Sequence, residues 1–178
     1  GKNAFGNLEL QCQEVEVIVG VQYELPIEVN SEELEANLET QLNNRVLSLR
    51  HRKNNAVFKV QALIAQAFSE FLVKEGFTQV FSPKIVGGGA EGGTAIFKMQ
   101  YFENTAYLAQ SPQFYKQMLV AVGYERVFEV GAVYRAEEHN TSRHLNEYVS
   151  LDLEMGFIKD EYEVMQLEEE LLKYIIEK

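Results

Sequence analysis

Val133-Tyr-Arg-Ala-Glu-Glu-His-Asn-Thr-Ser-Arg-His-Leu-Asn-Glu147 is the stretch on which the reading of this chain turns. An apolar strand delivers Arg135 and Glu137 two residues apart, and a polar loop then carries Arg143 beside His144. Residues i and i+2 of an extended strand project from the same face, so Arg135 and Glu137 are expected to share one space. A guanidinium grips phosphate oxygens in bidentate fashion, and a carboxylate accepts from an exocyclic amine. The pair suits the two ends of one ATP molecule, with Arg143 and His144 over the outer phosphates.

Outward from this stretch, residues 125–136 and 147–158 read as two antiparallel strands flanking a loop at 138–146. On the return strand Ser150, Asp152 and Glu154 share a face by the period-2 rule. Buried carboxylates need partners, so two on one face point to a cleft that receives cations. A helix from about Asp160 closes the chain, with Asp160 and Glu163 as a capping box. Upstream, Val57, Val60, Ile64, Phe68, Phe71 and Leu72 recur at helical spacing between Asn54 and Glu75 and stop at Gly76. A strand then runs into Pro83. Residues 87–93 hold five glycines in seven positions, a loop able to approach a ligand closely, though without the Gly-Lys-Ser/Thr ending of a P-loop. Ser111-Pro112 reads as a helix start, serine as N-cap and proline at the first helical position. Gln113 and Lys116 then share a helix face near a terminus that favours anions. A cation there is locally unfavourable unless an anion joins it.

Composition narrows the class. The 178 residues suit one domain, and 46% hydrophobic with 11% aromatic residues is enough for a real core. The lone Cys12 argues against a disulfide framework, fits a reducing compartment and reads as a small buried hydrophobe. No apolar run approaches the ~20 residues of a membrane span, and residues 1–7 carry no signal-peptide core. The expectation is a cytoplasmic protein with no membrane partner. The net charge of −11 excludes a basic RNA binder, because phosphate contacts supply much of nucleic-acid affinity. The acidic residues of 31–39 and 161–170 read as a linker and solvated helix faces. His51 and His139 read as surface residues.

The 133–147 stretch resembles motif 2 of class II aminoacyl-tRNA synthetases, most closely the aspartyl branch of archaeal and eukaryotic type. Asn44-Arg-Val-Leu-Ser-Leu-Arg50, Gly76-Phe-Thr-Gln-Val-Phe-Ser-Pro-Lys-Ile85, Ala90-Glu-Gly-Gly93 and Tyr107-Leu-Ala-Gln-Ser-Pro-Gln-Phe-Tyr-Lys-Gln117 are similar to that family in the same order. The fold implied is α+β: a partial class II catalytic domain, an antiparallel sheet flanked by helices. On this resemblance residues 1–19 are the last strand of an OB-type anticodon-binding barrel, through the alternation at 8–18 with a bulge near Glu14. Residues 20–42 are a linker, and 43–178 carry motifs 1 and 2 without motif 3. Helix, strand and Pro83 resemble motif 1, which implies a homodimer through residues 54–85; taken alone they are an ordinary core helix and edge strand.

For chemistry, the resemblance implies aspartate, ATP and tRNA as substrates, with tRNA docking mostly through regions outside this chain. Arg135 would act on the α-phosphate, Glu137 on the adenine amine, and His144 with Arg143 on the γ-phosphate. Ser111, Gln113 and Lys116 would hold aspartate, the lysine on its side-chain carboxylate. Asp152 would receive the α-amino group, and Glu91 would come from a mobile loop closing over the amino acid. Mg2+ is implied, with no carboxylate set that defines its site. Without motif 3 the chain alone is expected to be inactive. Two other readings stay open: a truncated paralogue serving as a non-catalytic dimerisation or regulatory module, and a synthetase-related asparagine synthetase.

Overall fold

The computed structural model describes residues 8–89, 95–139, 141 and 143–178. The chain divides into two compact units, residues 1–56 and 57–178.

In the first unit, the expected strand at 8–18 does not form. Only Leu8 makes a bridge, and residues 9–36 are irregular. Leu10, Val15, Val17, Ile18, Val19 and Val21 are exposed. The alternation is real, but a strand exists only against a neighbour that accepts its ladder hydrogen bonds, and none is present among the described residues. Cys12 is likewise exposed rather than buried, its thiol donating to the Glu14 carbonyl at 3.3 Å. The stretch expected to be a linker to residue 42 gives way earlier to helix α1 (Leu38–Asn43), where the Asn37 side chain accepts from Thr40 N–H at 2.8 Å. A short α2 (Arg45–Ser48) follows. His51, expected on the surface, is 1% exposed, with Nε2 3.0 Å from the Ser31 carbonyl. Its flanking arginines disguised a buried ring.

Helix α3 (Arg52–Lys74) begins in this unit and runs into the second. It ends in a left-handed glycine: Gly76 has φ +81°, Phe77 N–H donates to the Leu72 carbonyl at 2.9 Å and Gly76 N–H to the Val73 carbonyl at 3.2 Å. These are the two bonds of a Schellman cap. By length and composition alone α3 is long and apolar enough to cross a membrane, although charged and amide side chains interrupt any contiguous apolar run. Its Phe68, Phe71 and Leu72 are buried in the protein's own core.

The second unit holds two three-stranded sheets. In one, β5 (Arg126–Tyr134) pairs antiparallel with β6 (Glu147–Met155) through nine residue pairs, and the short β1 (Thr78–Gln79) runs parallel to β5. In the other, β2 (Ile85–Val86) and β3 (Lys98–Tyr101) flank β4 (Asn104–Leu108), all antiparallel. Helix α4 (Gln113–Leu119) continues into a π-helical turn at Val120–Tyr124, and α5 (Glu161–Glu177) closes the chain. The expected capping box of α5 is half made. Asp160 accepts from Tyr162 N–H at 3.1 Å, while Glu163 reaches Lys159 N–H instead.

One face of the β5–β6 pair makes the core: Phe128, Val130, Leu153 and Met155 meet Phe68, Phe71 and Leu72 of α3 and Leu167 and Leu171 of α5. Phe68 and Phe128 stack edge to face at 5.8 Å, a geometry the ring quadrupoles favour. Outside this core, Glu70 of α3 accepts from Lys178 at 2.8 Å and Tyr174 at 3.1 Å. With Gln66, these donors hold its carboxyl down to about 2.

Two outcomes follow for stability. Gly76→Ala forces a Cβ into the left-handed region and should lower unfolding free energy by about 1–2 kcal/mol in urea titration. Glu70→Gln tests the surface cluster. A carboxyl depressed in the folded state stabilises above its unfolded value near 4.5 and loses that contribution as pH falls toward 2. The gap in thermal midpoint between wild type and Glu70→Gln should be fully open above pH 4.5 and close toward pH 2.

Candidate functional site

The opposite face of the β5–β6 ladder carries charge. Register pairs Glu129 with Asp152, Gly131 with Ser150 and Val133 with Tyr148. By alternation Glu154 joins that face, so the expected row of Ser150, Asp152 and Glu154 is present.

Against this row lies α4. Lys116 is 4% exposed, its ammonium donating to Asp152 Oδ1 at 2.5 Å and to the Leu153 carbonyl at 3.1 Å, with Glu154 Oε2 3.5 Å away. Gln113 Nε2 donates to the same Glu154 oxygen at 3.4 Å, and Ser150 Oγ donates to Asp152 Oδ2 at 2.7 Å. Gln113 and Lys116 thus do share a face, and it is the one turned to the carboxylates. Ser111 differs in detail from its expected part. The helix opens at Gln113 with Pro112 in the capping position, and the Ser111 hydroxyl accepts from Gln113 N–H at 3.3 Å. Proline has no N–H to be capped, so the serine reaches the first donor available. Ser111 also lines a cavity of about 260 Å³ with Gly87, Gly88 and Gly89. Glu91, expected on that loop, lies outside the described residues.

At the far end of the ladder, Arg135, Glu137, Arg143, His144, Leu145 and Tyr148 line one cavity of about 430 Å³. The four residues singled out in sequence are therefore brought together. The reason differs from the one expected, because β5 ends at Tyr134 and not at 136. Glu137 N–H donates to the Arg135 carbonyl at 2.8 Å, a tight three-residue turn. Asn146 fixes that turn from the return side: its carbonyl accepts from Arg135 N–H at 2.9 Å and its side-chain oxygen from Glu137 N–H at 3.2 Å. Beyond the turn, Thr141 holds the loop, with Oγ1 2.7 Å from His144 Nδ1 and 3.2 Å from Arg143 N–H. His139 is exposed, as expected, its ring 5.4 Å from that of His144.

Sequence reasoning missed Asn146 and a second buried ion pair. Glu129, 3% exposed, accepts from Lys84 Nζ at 2.6 Å on one oxygen, and from Ser82 Oγ at 2.7 Å and Ser82 N–H at 3.2 Å on the other. A glutamate inside an apolar strand was the available signal. Among the described residues no group of three or more His, Cys, Asp or Glu could hold a metal ion, so no magnesium site is defined by them.

The tRNA synthetases class II (D, K and N) family matches residues 37–178. The aspartate–tRNA(Asp/Asn) ligase of Thermus thermophilus is 52% identical over 97% of this chain and 40% of its own length. The aspartate–tRNA(Asp) ligase of Pyrococcus abyssi is 46% identical over 94% of the chain and 38% of its own length. Among solved structures, the asparaginyl-tRNA synthetase of Pyrococcus horikoshii complexed with asparaginyl-adenylate superposes with TM-score 0.84 at 38% identity, covering 97% of this chain and 38% of that one. The aspartyl-tRNA synthetase of Entamoeba histolytica gives 0.66 at 35% identity, over 83% and 26%. The chain thus spans about 40% of the length of the curated relatives it matches. With the ladder, the charged cleft and the loop cavity in one order along the sequence, this chain belongs to the class II tRNA synthetases of the D, K and N group.

Proposed function

We propose that this chain is the N-terminal part of the catalytic domain of an aspartate–tRNA ligase, which activates aspartate with ATP and passes it to tRNA. The observation that carries the reading is the ion pair between buried Lys116 and half-buried Asp152. Aspartate brings an ammonium and a side-chain carboxylate. Set between the two residues, it would exchange one ion pair for two, carboxylate on Lys116 and ammonium on Asp152, leaving no buried charge uncompensated. Ser111, Gln113 and Glu91 complete the amino-acid pocket in this reading.

In adenylate formation the α-carboxylate of aspartate attacks the α-phosphorus of ATP. A bond to that phosphorus forms, and the bond to the bridging oxygen breaks to release pyrophosphate. No protein nucleophile is required. The work is alignment of two anions and neutralisation of phosphate charge. Arg135 would stabilise charge on the α-phosphate, Glu137 would accept from the adenine amine, and Arg143 and His144 would meet the γ-phosphate. Class II chemistry implies Mg2+ as well; among the described residues no cluster of three or more His, Cys, Asp or Glu side chains marks its site, and no step here depends on one. tRNA and the anticodon-reading contacts belong to regions beyond those matched here.

A homodimer fits the outer surface. Val57 and Val60 of α3 are 63% and 53% exposed, Val149 and Leu151 of β6 are 50% and 38% exposed, and the four line one apolar hollow of about 440 Å³ with Ile64. A second copy would cover it.

Aspartate-dependent ATP–pyrophosphate exchange by the full-length protein tests the function. Lys116→Ala, checked for folding by circular dichroism, should lower kcat/KM for aspartate at least about a hundredfold, as loss of one partner of a buried charge pair does. Exchange supported by asparagine and not by aspartate would refute the substrate. For assembly, Val57→Asp with Val60→Asp should convert a dimer to monomers in sedimentation without unfolding, since both positions face outward.

A further inference from the structure

The Glu129–Lys84 pair is not used by the chemistry above, yet its carboxylate is the cross-strand neighbour of Asp152. Glu129 and Asp152 are direct cross-strand partners on the cleft face of the ladder, a spacing at which like charges repel. Each has its own lysine from outside the ladder: Lys116 for Asp152, Lys84 for Glu129. Both Glu129 oxygens are saturated, one by Lys84 and the other by Ser82. The Lys84 ammonium also donates to Ser82 Oγ at 3.0 Å. The ladder makes room for this pair: a Cβ at Gly131 would come within 2.8 Å of Glu129 Oε1 and 3.2 Å of Lys84 Nζ. Lys84 itself is placed by the second sheet, where its carbonyl accepts from Ala109 N–H at 3.0 Å, directly beside β2 and β4.

We propose that Lys84 is a positioning residue for the amino acid, which acts by cancelling the buried charge of Glu129 so that the aspartate pocket is not over-loaded with negative charge. The inference rests on the assignment of Lys116 and Asp152 as the aspartate-binding pair. Aspartate enters with a net negative charge. The ladder face carries Asp152, Glu154 and Ser150 from β6 and Glu129 from β5, with Lys116 paired to Asp152 and Lys84 paired to Glu129. Remove the Lys84 charge, and Glu129 is left as an uncompensated carboxylate beside the Lys116-paired Asp152, repelling the substrate through a poorly screened interior. ATP binds at the other end of the ladder and should not register the change. Asparagine, with no charge on its side chain, should register it less than aspartate.

The test is aspartate-dependent pyrophosphate exchange by full-length wild type, Lys84→Met, Glu129→Gln and the double variant, with thermal midpoints measured alongside. Lys84→Met should raise KM for aspartate about tenfold and leave KM for ATP within about twofold, because only the amino-acid end sees the freed charge. The double variant, with both charges gone, should return KM for aspartate to within about threefold of wild type, since neutral replacement of a buried pair costs far less than removal of one partner. Glu129→Gln leaves the lysine cation in place and should lower KM for aspartate. If both single variants raise KM for aspartate alike, or KM for ATP rises in step, or the double variant stays as impaired as Lys84→Met, the pair is only a structural brace and the proposal falls. Should Lys84→Met not fold, Glu129→Gln decides instead: the freed Lys84 cation should lower KM for aspartate, and a KM unchanged or raised overturns the proposal. Wild-type protein without aspartate-dependent exchange defeats the function and this inference together. Wild-type exchange with Lys84→Met unaltered defeats the inference alone.

Discussion

The β5–β6 ladder is the constraint on which the rest depends. Its side-chain period is two, so the register that puts Phe128 opposite Leu153 toward α3 and α5 also puts Glu129 opposite Asp152 toward α4. A slip of one residue would send carboxylates into the apolar core and phenylalanine into the cleft, at a cost of several kcal/mol for each buried charge. The hydrophobic core thus does more than stabilise. It selects the single pairing in which the charged face is assembled, and it anchors that face on the helices behind.

The elements around the cleft are attached to the ladder by charge as much as by apolar contact. Lys116 arrives on α4 and Lys84 ahead of β2, and each ends on a carboxylate of the ladder. Desolvated pairs of this kind add little net stability when complete, but breaking one side is expensive. They therefore act as position locks. For the proposed reaction, which aligns a carboxylate with a phosphorus atom, placement to a few tenths of an ångström would govern the rate, and locks of this kind would serve that alignment more than folding.

What could be read in the sequence follows the range of the interaction. The hairpin, the helix at 52–74, the row of Ser150, Asp152 and Glu154, and the gathering of Arg135, Glu137, Arg143 and His144 all rest on local periodicity or on a two-strand return, and local rules reach that far. The parallel pairing of β1 with β5 and the Lys84–Glu129 pair join residues nearly fifty positions apart, and no local pattern announces them. Alternation at 8–18 was legible but insufficient, because a strand is a property of two segments and one of them is not among the described residues. The family's local signatures carried the reading where physics alone stopped. They singled out Lys116 for a substrate role that remains a proposal, while the ladder explains why it is buried.

The two ends of the site differ in how far they are built in advance. At the end proposed for the amino acid, Lys116 is 4% exposed and its ammonium already meets Asp152 of β6. At the end proposed for the nucleotide, Arg143 and His144 are exposed and held by Thr141, while Arg135 and Glu137 are pinned through Asn146. That division matches what each ligand requires. Choosing between amino acids that differ by one charged group needs rigid, desolvated partners, because discrimination is the cost of leaving one of them unmatched. A triphosphate carries charge enough to recruit exposed cations to itself, so its grip can form on binding. The ladder joins the two ends in one piece of sheet, and in the proposed reading this would let a rigid selector and an adaptable clamp present their ligands along a common line.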